Sequence, residues 1–139
     1  MGPGAWSKLF AAALLTLLLL CLAGCGGEEP ITFTRENYEE LIANPTAYDG
    51  ANVDVVGRVT VVESDGDGVY FHMFADPPND AWPTIVVVPD PSLQVAELEY
   101  VRVGGVVRSE QMLPESMSGF TEEPIVVASS VAPIEPPPG

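Results

Sequence analysis

The sequence predicts a mainly β protein, a small five-stranded barrel with a helix in front of it and a short helix between its third and fourth strands. Three observations predict this fold class. After one helical segment the hydrophobic period changes from about 3.6 residues to 2. Five strand-like runs then follow between turns rich in glycine, proline and aspartate. The motif V-x-V-x-G-x-V occurs twice, at residues 53–59 and 101–107, and a glycine inside a strand is typical of a bend or bulge.

Residues 1–24 differ in composition from the rest of the chain. They begin with a short segment that carries the only lysine, Lys8, continue with an uncharged apolar run and end in small residues. This order of positive, apolar and small residues is typical of a secretory signal peptide. The apolar run is shorter than the roughly 20 residues that a membrane-spanning helix needs, so we expect the segment to be removed.

The end of the apolar run resembles the lipobox of bacterial lipoproteins, on the residues Leu22, Ala23, Gly24 and Cys25. The resemblance implies that the Cys25 thiol receives a diacylglyceryl group and that a peptidase cuts between Gly24 and Cys25. Acyl chains such as palmitate would then hold the protein, since two or more chains anchor stably where one is marginal. We expect a membrane-anchored protein on the extracytoplasmic face, at the cell surface or in the periplasm. Ordinary signal cleavage, with Cys25 as a leftover thiol, is the alternative.

The mature chain would be strongly acidic. Removing residues 1–24 leaves 115 residues, enough for one domain, and changes the formal net charge from −15 to −16 because Lys8 is lost. Such a charge opposes sequence-independent binding to phosphate backbones, so nucleic acid is expected to be an improbable partner. Cys25 would be the only cysteine left, which excludes an internal disulfide, and stability must come from a hydrophobic core.

The folded unit is predicted over residues 31–132. Before it, residues 25–30 hold Cys25, two glycines and two glutamates, which is typical of a short flexible tether. After it, residues 133–139 are rich in proline and are expected to be extended and disordered.

The first element of the folded unit is a helix. Thr34 is the predicted N-cap, and the helix is expected to end at Asn44 because a proline follows it. Phe33 before the cap and Tyr38 after it have the spacing of a hydrophobic staple.

Five strands are predicted after the helix, over residues 53–61, 69–74, 84–88, 100–107 and 125–131. Residues 65–68, Asp-Gly-Asp-Gly, predict a hairpin turn of type I′ between the first two. Asp90 followed by Pro91 predicts the start of a short helix between the third and fourth. This order is that of the OB fold, a small Greek-key barrel in which the bent first strand serves both halves. A β-sandwich or an SH3-like barrel is the alternative.

One known family has the same arrangement of helix, proline stop and glycine-interrupted strand. Tyr38 and the apolar pair after it, the Asn44-Pro45 stop and the motif at residues 53–59 together resemble the OB-fold (tRNA-anti-like) domains of uncharacterised bacterial lipoproteins. The resemblance covers nearly the whole mature chain. It implies a fold, and no activity comes with it.

The candidate ligand face is made of four residues, Tyr70, His72, Phe74 and Trp82. The first three alternate along the second strand and should share one face, which in OB folds stacks aromatic rings on bases or sugars. The alternative is packing, with Phe71 and Met73 filling the barrel and the alternating residues buried under the helix or the tryptophan. A single histidine without a cysteine partner is a poor transition-metal site.

The loop before the fifth strand is the second candidate site. OB folds use this loop for recognition, so the residues expected to meet a partner are Gln111, Met112, Met117 and Phe120. A flap that closes the barrel end explains these residues equally well.

The remaining site classes have weaker signals. Asp65 and Asp67 offer carboxylates to calcium, but the spacing is not that of an EF-hand and a plain turn is favoured, so neither a metal nor a cofactor is expected. Since no catalytic motif is present, we do not expect an enzyme.

The sequence therefore favours a non-catalytic lipoprotein module that binds a protein or glycan in the cell envelope. The alternatives are a small-ligand or divalent-cation-binding lipoprotein and, remotely, single-stranded nucleic-acid binding.

Overall fold

The computed structural model describes residues 29–120 and 122–137. Within this part the chain forms a helix and five strands, α1 (Arg35–Ala43), β1 (Asn52–Ser64), β2 (Val69–Asp76), β3 (Ala81–Val88), β4 (Tyr100–Arg108) and β5 (Ile125–Pro133). Three 3₁₀ turns lie at Pro45–Tyr48, Pro77–Asn79 and Glu115–Phe120. The predicted signal peptide and Cys25 lie outside the described residues. No helix among those described has the length and hydrophobicity needed to cross a bilayer.

Local signals place α1 as predicted. Thr34 Oγ1 accepts a hydrogen bond from the Asn37 N–H at 3.3 Å, and Asn37 Oδ1 accepts one from the Thr34 N–H at 2.7 Å, so the two form a capping box. The rings of Phe33 and Tyr38 meet edge to face with centroids 5.4 Å apart, as the predicted staple requires. Asn44 is the C-cap, directly before the proline. The buried face of α1 belongs to the same core as the barrel.

The strands form a closed barrel in the order β1-β2-β3-β5-β4. Neighbours are antiparallel except β3 and β5, which are parallel. β1 pairs with β4 over residues 52–58 and with β2 over residues 58–64, so one bent strand serves both halves of the barrel. This is the OB order, and it confirms the predicted fold class over the β-sandwich and the SH3-like barrel.

The barrel interior is filled by the inward side of each strand, chiefly by the valines at 53, 55, 59, 86, 101, 103, 107 and 126. Phe71 and Met73 are fully buried among them, as predicted from their alternation on β2.

The two glycines of the repeated motif lie where atoms of a neighbouring strand come close. A Cβ on Gly57 would overlap a methionine sulfur on β2, and a Cβ on Gly105 would overlap the Val127 carbonyl oxygen. The irregular register of β1 lies between Val59 and Val61 rather than at Gly57. The glycine in β1 is therefore a place of close approach, and the bulge follows it.

The connection from β3 to β4 differs from the prediction, because it contains no helix. Asp90 Oδ1 accepts a hydrogen bond from the Ser92 N–H at 3.0 Å, and after this turn the chain runs without regular structure. Leu93 and Val95 both pack against the barrel core. An extended segment directs alternate side chains to one side, which a helix does not do. The short helix predicted here is wrong, because Asp90 and Pro91 begin a turn.

The hairpin between β1 and β2 is confirmed, but its turn is not of type I′. Neither Gly66 nor Asp67 has a positive φ, which that turn type requires. Asp65 Oδ1 instead accepts hydrogen bonds from the N–H groups of Asp67 and Gly68, at 2.8 and 3.0 Å. A side-chain acceptor therefore closes the turn, as aspartate often does.

At the other end of the domain, β5 continues to Pro133. The Ile134 N–H donates to the Tyr100 carbonyl at 2.9 Å. Strand pairing thus extends beyond the domain boundary predicted at residue 132.

Candidate functional site

The outer face of β2 and β3 is where the predicted ligand residues lie. Tyr70 packs there with Ile85 and Val87 in a hydrophobic cluster that is separate from the barrel core. His72 is only 5% exposed, and the Phe74 ring meets it edge to face with centroids 5.2 Å apart. The three alternating residues therefore share one face, which is largely buried.

The loop between β4 and β5 covers this face. We call residues 109–123 the lid. Met117 of the lid is fully buried and belongs to the cluster of Tyr70, Ile85 and Val87, and Leu113 packs against the same cluster. The lid therefore lies over the outer face of the sheet. It does not act as the predicted flap that closes the barrel end.

The four predicted recognition residues are separated by this arrangement. Met112 is 88% exposed and Gln111 is also at the surface, whereas Met117 is buried beneath the lid. Phe120 is the last residue of the 3₁₀ turn. Their role in binding stays a prediction.

Backbone hydrogen bonds hold the lid near its two ends. The Ser109 N–H donates to Asp49 Oδ1 and the Ile85 N–H donates to the Pro124 carbonyl, both at 2.9 Å. Between these points, the described residues 110–123 make no backbone hydrogen bond with the barrel strands. The middle of the lid is held by side chains, mainly Met117, which is the kind of segment that opens locally at low cost.

A buried polar pair lies at the end of the lid. His72 Nε2 is 3.1 Å from Glu123 Oε2, and His72 Nδ1 is 2.5 Å from Thr60 Oγ1. Burial raises the pKa of Glu123 to about 7 and lowers the pKa of His72. Burial disfavours the charged form of both groups, so near neutral pH the histidine is neutral and the carboxyl group is partly protonated. Sequence reasoning missed Glu123, because nothing local distinguishes it from the other acids.

Trp82 does not join the other predicted ligand residues. Its ring stacks on Tyr38 of α1, with centroids 6.0 Å apart, and its φ of 60° is unusual for a residue with a side chain. The Tyr38 hydroxyl donates to the Pro83 carbonyl beside it. Trp82 therefore packs between the start of β3 and the helix.

The two weak metal candidates lie in the hairpin turn. Asp65 uses one carboxylate oxygen to accept the backbone hydrogen bonds that close the turn. In the part of the chain that the structure describes, no three histidine, cysteine or acidic residues are grouped so as to hold a metal ion.

Solved structures of other proteins share this fold. Replication protein A, as a heterotrimer bound to single-stranded DNA, aligns with a TM-score of 0.45 at 15% identity, over 63% of this chain and 59% of that one. The aspartyl-tRNA synthetase of Entamoeba histolytica aligns with a TM-score of 0.50 at 15% identity, over 69% of this chain and 20% of its own. A putative aspartyl-tRNA synthetase of Leishmania major Friedlin gives 0.49 at 11%, over 77% and 21%. At these identities the likeness shows the fold.

Sequence comparisons add no closer relative. No protein-family model matches the chain, and no curated protein sequence is significantly similar to it.

One prediction about partners is wrong. The acidic composition predicts that nucleic acid is an improbable partner. An aspartyl-tRNA synthetase, that of Entamoeba histolytica, shares the fold, which contradicts that prediction. The net charge of a whole chain does not decide what one face of its barrel contacts, so nucleic acid belongs among the ligand classes to be tested.

Proposed function

We propose that this protein is a bacterial lipoprotein, cut before Cys25 and anchored by lipid on the extracytoplasmic face of a membrane, whose OB barrel is a non-catalytic binding module of the cell envelope. The observation that carries the proposal is the lipobox-like sequence at residues 22–25, directly after an uncharged apolar run. A short tether is consistent with it, since Ile31 already pairs with the barrel through a 2.9 Å hydrogen bond to Asn52.

Metabolic labelling tests the anchor. In a bacterial host fed an alkyne-tagged palmitate, the wild-type protein should be labelled and should partition into the detergent phase. Cys25→Ser should lose the label and move to the aqueous phase, because the thiol that carries the lipid is gone. Cys21→Ser is the matched control and should behave as wild type. Persistent labelling of Cys25→Ser would contradict the lipoprotein assignment.

The binding module is proposed to use the outer face of β2 and β3 when the lid is displaced. Tyr70, His72 and Phe74 supply aromatic surface there, of the kind that stacks on sugars or bases. Met117 occupies that surface in the closed form. An envelope protein or glycan is the proposed partner, and single-stranded nucleic acid, which replication protein A binds, is tested on the same face.

An amide NMR titration of the soluble domain, residues 27–139, tests this use of the face. Glycan fragments and short single-stranded DNA would be added in turn to the wild type and to Met117→Ser. Shifts should cluster on Tyr70, His72 and the lid, and they should be larger for Met117→Ser because its lid opens more often. Shifts confined to other surfaces, or equal in both proteins, would contradict a ligand site beneath the lid.

A further inference from the structure

A cavity of about 360 Å³ lies where three segments meet, the end of α1, the end of β4 and the start of β5. Its apolar lining includes Leu41, Val107 and Ile125. Its polar lining includes Arg108 and Glu123. Small-molecule sites in proteins are mostly apolar clefts of about this size with a few charged groups that fix the ligand's orientation.

Arg108 differs from the other arginines of the barrel domain. Arg35, Arg58 and Arg102 each form a salt bridge, with Glu39, Asp80 and Asp54 respectively. Among the residues that the structure describes, Arg108 makes no side-chain hydrogen bond and no ion pair within 4.0 Å. Its attraction to Asp49 acts over a longer distance. A guanidinium at the edge of a cavity, with its hydrogen-bond donors unused by the protein, is suited to a carboxylate.

Negative charge, opposite to that of Arg108, comes from the two glutamates just before β5 and from the C-terminal end of α1. Glu123 keeps 20% of its side chain exposed although Oε2 lies against His72, and Glu122 lines the same cavity. The end of α1 lines the cavity as well and carries no basic residue in its last turn. A helix C-terminus and two carboxylates together favour a cation. The register of the sheet sets Arg108 opposite Ile125, two residues after Glu123, so both charges border one cavity.

We propose that this cavity binds a zwitterionic small molecule, such as a free amino acid with a small apolar side chain. Arg108 takes the carboxylate of the ligand, Glu123 takes its ammonium group, and the apolar wall formed by Leu41, Val107 and Ile125 takes its side chain. Burial raises the pKa of the Glu123 carboxyl because it disfavours the carboxylate, and the positive charge of an ammonium group would stabilise that carboxylate. The cavity adjoins the surface covered by Met117, since Glu123 and Ile125 border both, and it does not depend on the lipid anchor.

Ligand-detected saturation-transfer NMR on the purified full-length protein tests the site with three probes. L-leucine carries both charges, 3-methylbutylamine carries only the ammonium and 4-methylpentanoate only the carboxylate. Leucine should bind, and each half-ligand should bind about tenfold more weakly or worse, the loss expected for one charged hydrogen bond. This comparison needs no variant. Absence of leucine binding at about 50 mM, or equal binding of leucine and the amine, would overturn the proposal.

Variants locate the binding. Arg108→Gln and Glu123→Gln should each weaken leucine binding about tenfold. Arg35→Gln and Glu36→Gln change the net charge by the same amounts at exposed positions of α1 and should leave it unchanged. Equal weakening in all four would show an effect of net charge and would refute the site. None of these outcomes bears on the labelling of Cys25.

Discussion

His72 and Glu123 are buried together at the end of the lid, and each loses hydration there. A histidine on an outer strand face would titrate near its usual value if it faced water, but the contacts with Thr60 and Glu123 and the low exposure take it out of water. The carboxyl group pays the same desolvation cost, and its pKa rises to about 7. The chemistry of both residues is therefore set by their shared burial.

This pair predicts a pH dependence of stability. A folded-state pKa of Glu123 near 7, above its unfolded value, means that the folded protein holds a proton that the unfolded chain has released. The contribution of this carboxyl group to the free energy of unfolding is therefore present at low pH and is lost as the pH rises through about 7. The lowered pKa of His72 acts in the opposite direction, but only below its unfolded value of about 6.5. Between about pH 6.5 and 8.5 the free energy of unfolding should fall by on the order of 1 kcal/mol.

Urea unfolding across that pH range measures the effect. Glu123→Gln cannot release the proton, so the fall should disappear. Glu122→Gln is the control, since Glu122 is an exposed neighbour, and it should keep the wild-type slope. An unchanged slope in Glu123→Gln would show that the carboxyl group is not the source.

The lid is an element with almost no regular structure of its own. It contains one 3₁₀ turn, within which the Met117 N–H donates to the Pro114 carbonyl at 2.9 Å. Its position over β2 and β3 follows from the side chain of Met117, which is fully buried, while Met112 in the same loop is exposed. Met117, with Leu113 packed beside it, therefore holds a long loop on a face that OB folds otherwise use for ligands.

Shortening this side chain should loosen the lid. Met117→Ala removes buried apolar contacts and should cost about 2–3 kcal/mol of closed-lid stability, which corresponds to roughly 30- to 150-fold faster proteolytic cleavage within the lid. Limited proteolysis with mass spectrometry reports the cleavage sites. Met112→Ala in the same loop should cleave at the wild-type rate because its side chain is 88% exposed. Equal rates for the two variants would rule out Met117 as the anchor.

At the scale of the whole molecule, a five-stranded barrel closes only if its strands come close at particular points. The repeated motif supplies a glycine at two of them, Gly57 on β1 and Gly105 on β4. Gly105 also lies at the register shift between β4 and β5. The missing side chain lets the backbone of β5 approach β4 at Gly105 and leaves room for the Met73 side chain at Gly57.

Adding a methyl group at one of these points should destabilise the entire domain. A Cβ at Gly105 would overlap the Val127 carbonyl, so Gly105→Ala should lower the free energy of unfolding by about 2 kcal/mol or more. Gly66 has no neighbouring atom within 4 Å of the same added group and no positive φ, so Gly66→Ala should change stability by less than about 0.5 kcal/mol. Chemical denaturation compares the two. A loss no larger for Gly105 than for Gly66 would contradict the close-approach explanation.

The sequence by itself determined the features that depend on neighbours within a few residues. The N-cap at Thr34, the alternation that buries Phe71 and the two glycine-interrupted strands are local signals, and together they indicated the OB order. At Asp90 the local signals gave a wrong prediction, because the same capping pattern begins a turn as readily as a helix. The packing of the following residues against the barrel favoured the turn over the helix.

Only the tertiary structure decided which surfaces are covered and which charges meet. Met117 lies far along the chain from Tyr70 and Ile85, and Glu123 lies far from His72, yet each pair is in contact. Such contacts depend on how the closed barrel brings distant strands together, and no spacing along the chain encodes them. The sequence predicted a candidate ligand face and a candidate recognition loop, but only the tertiary structure shows that the loop packs on the face and covers it.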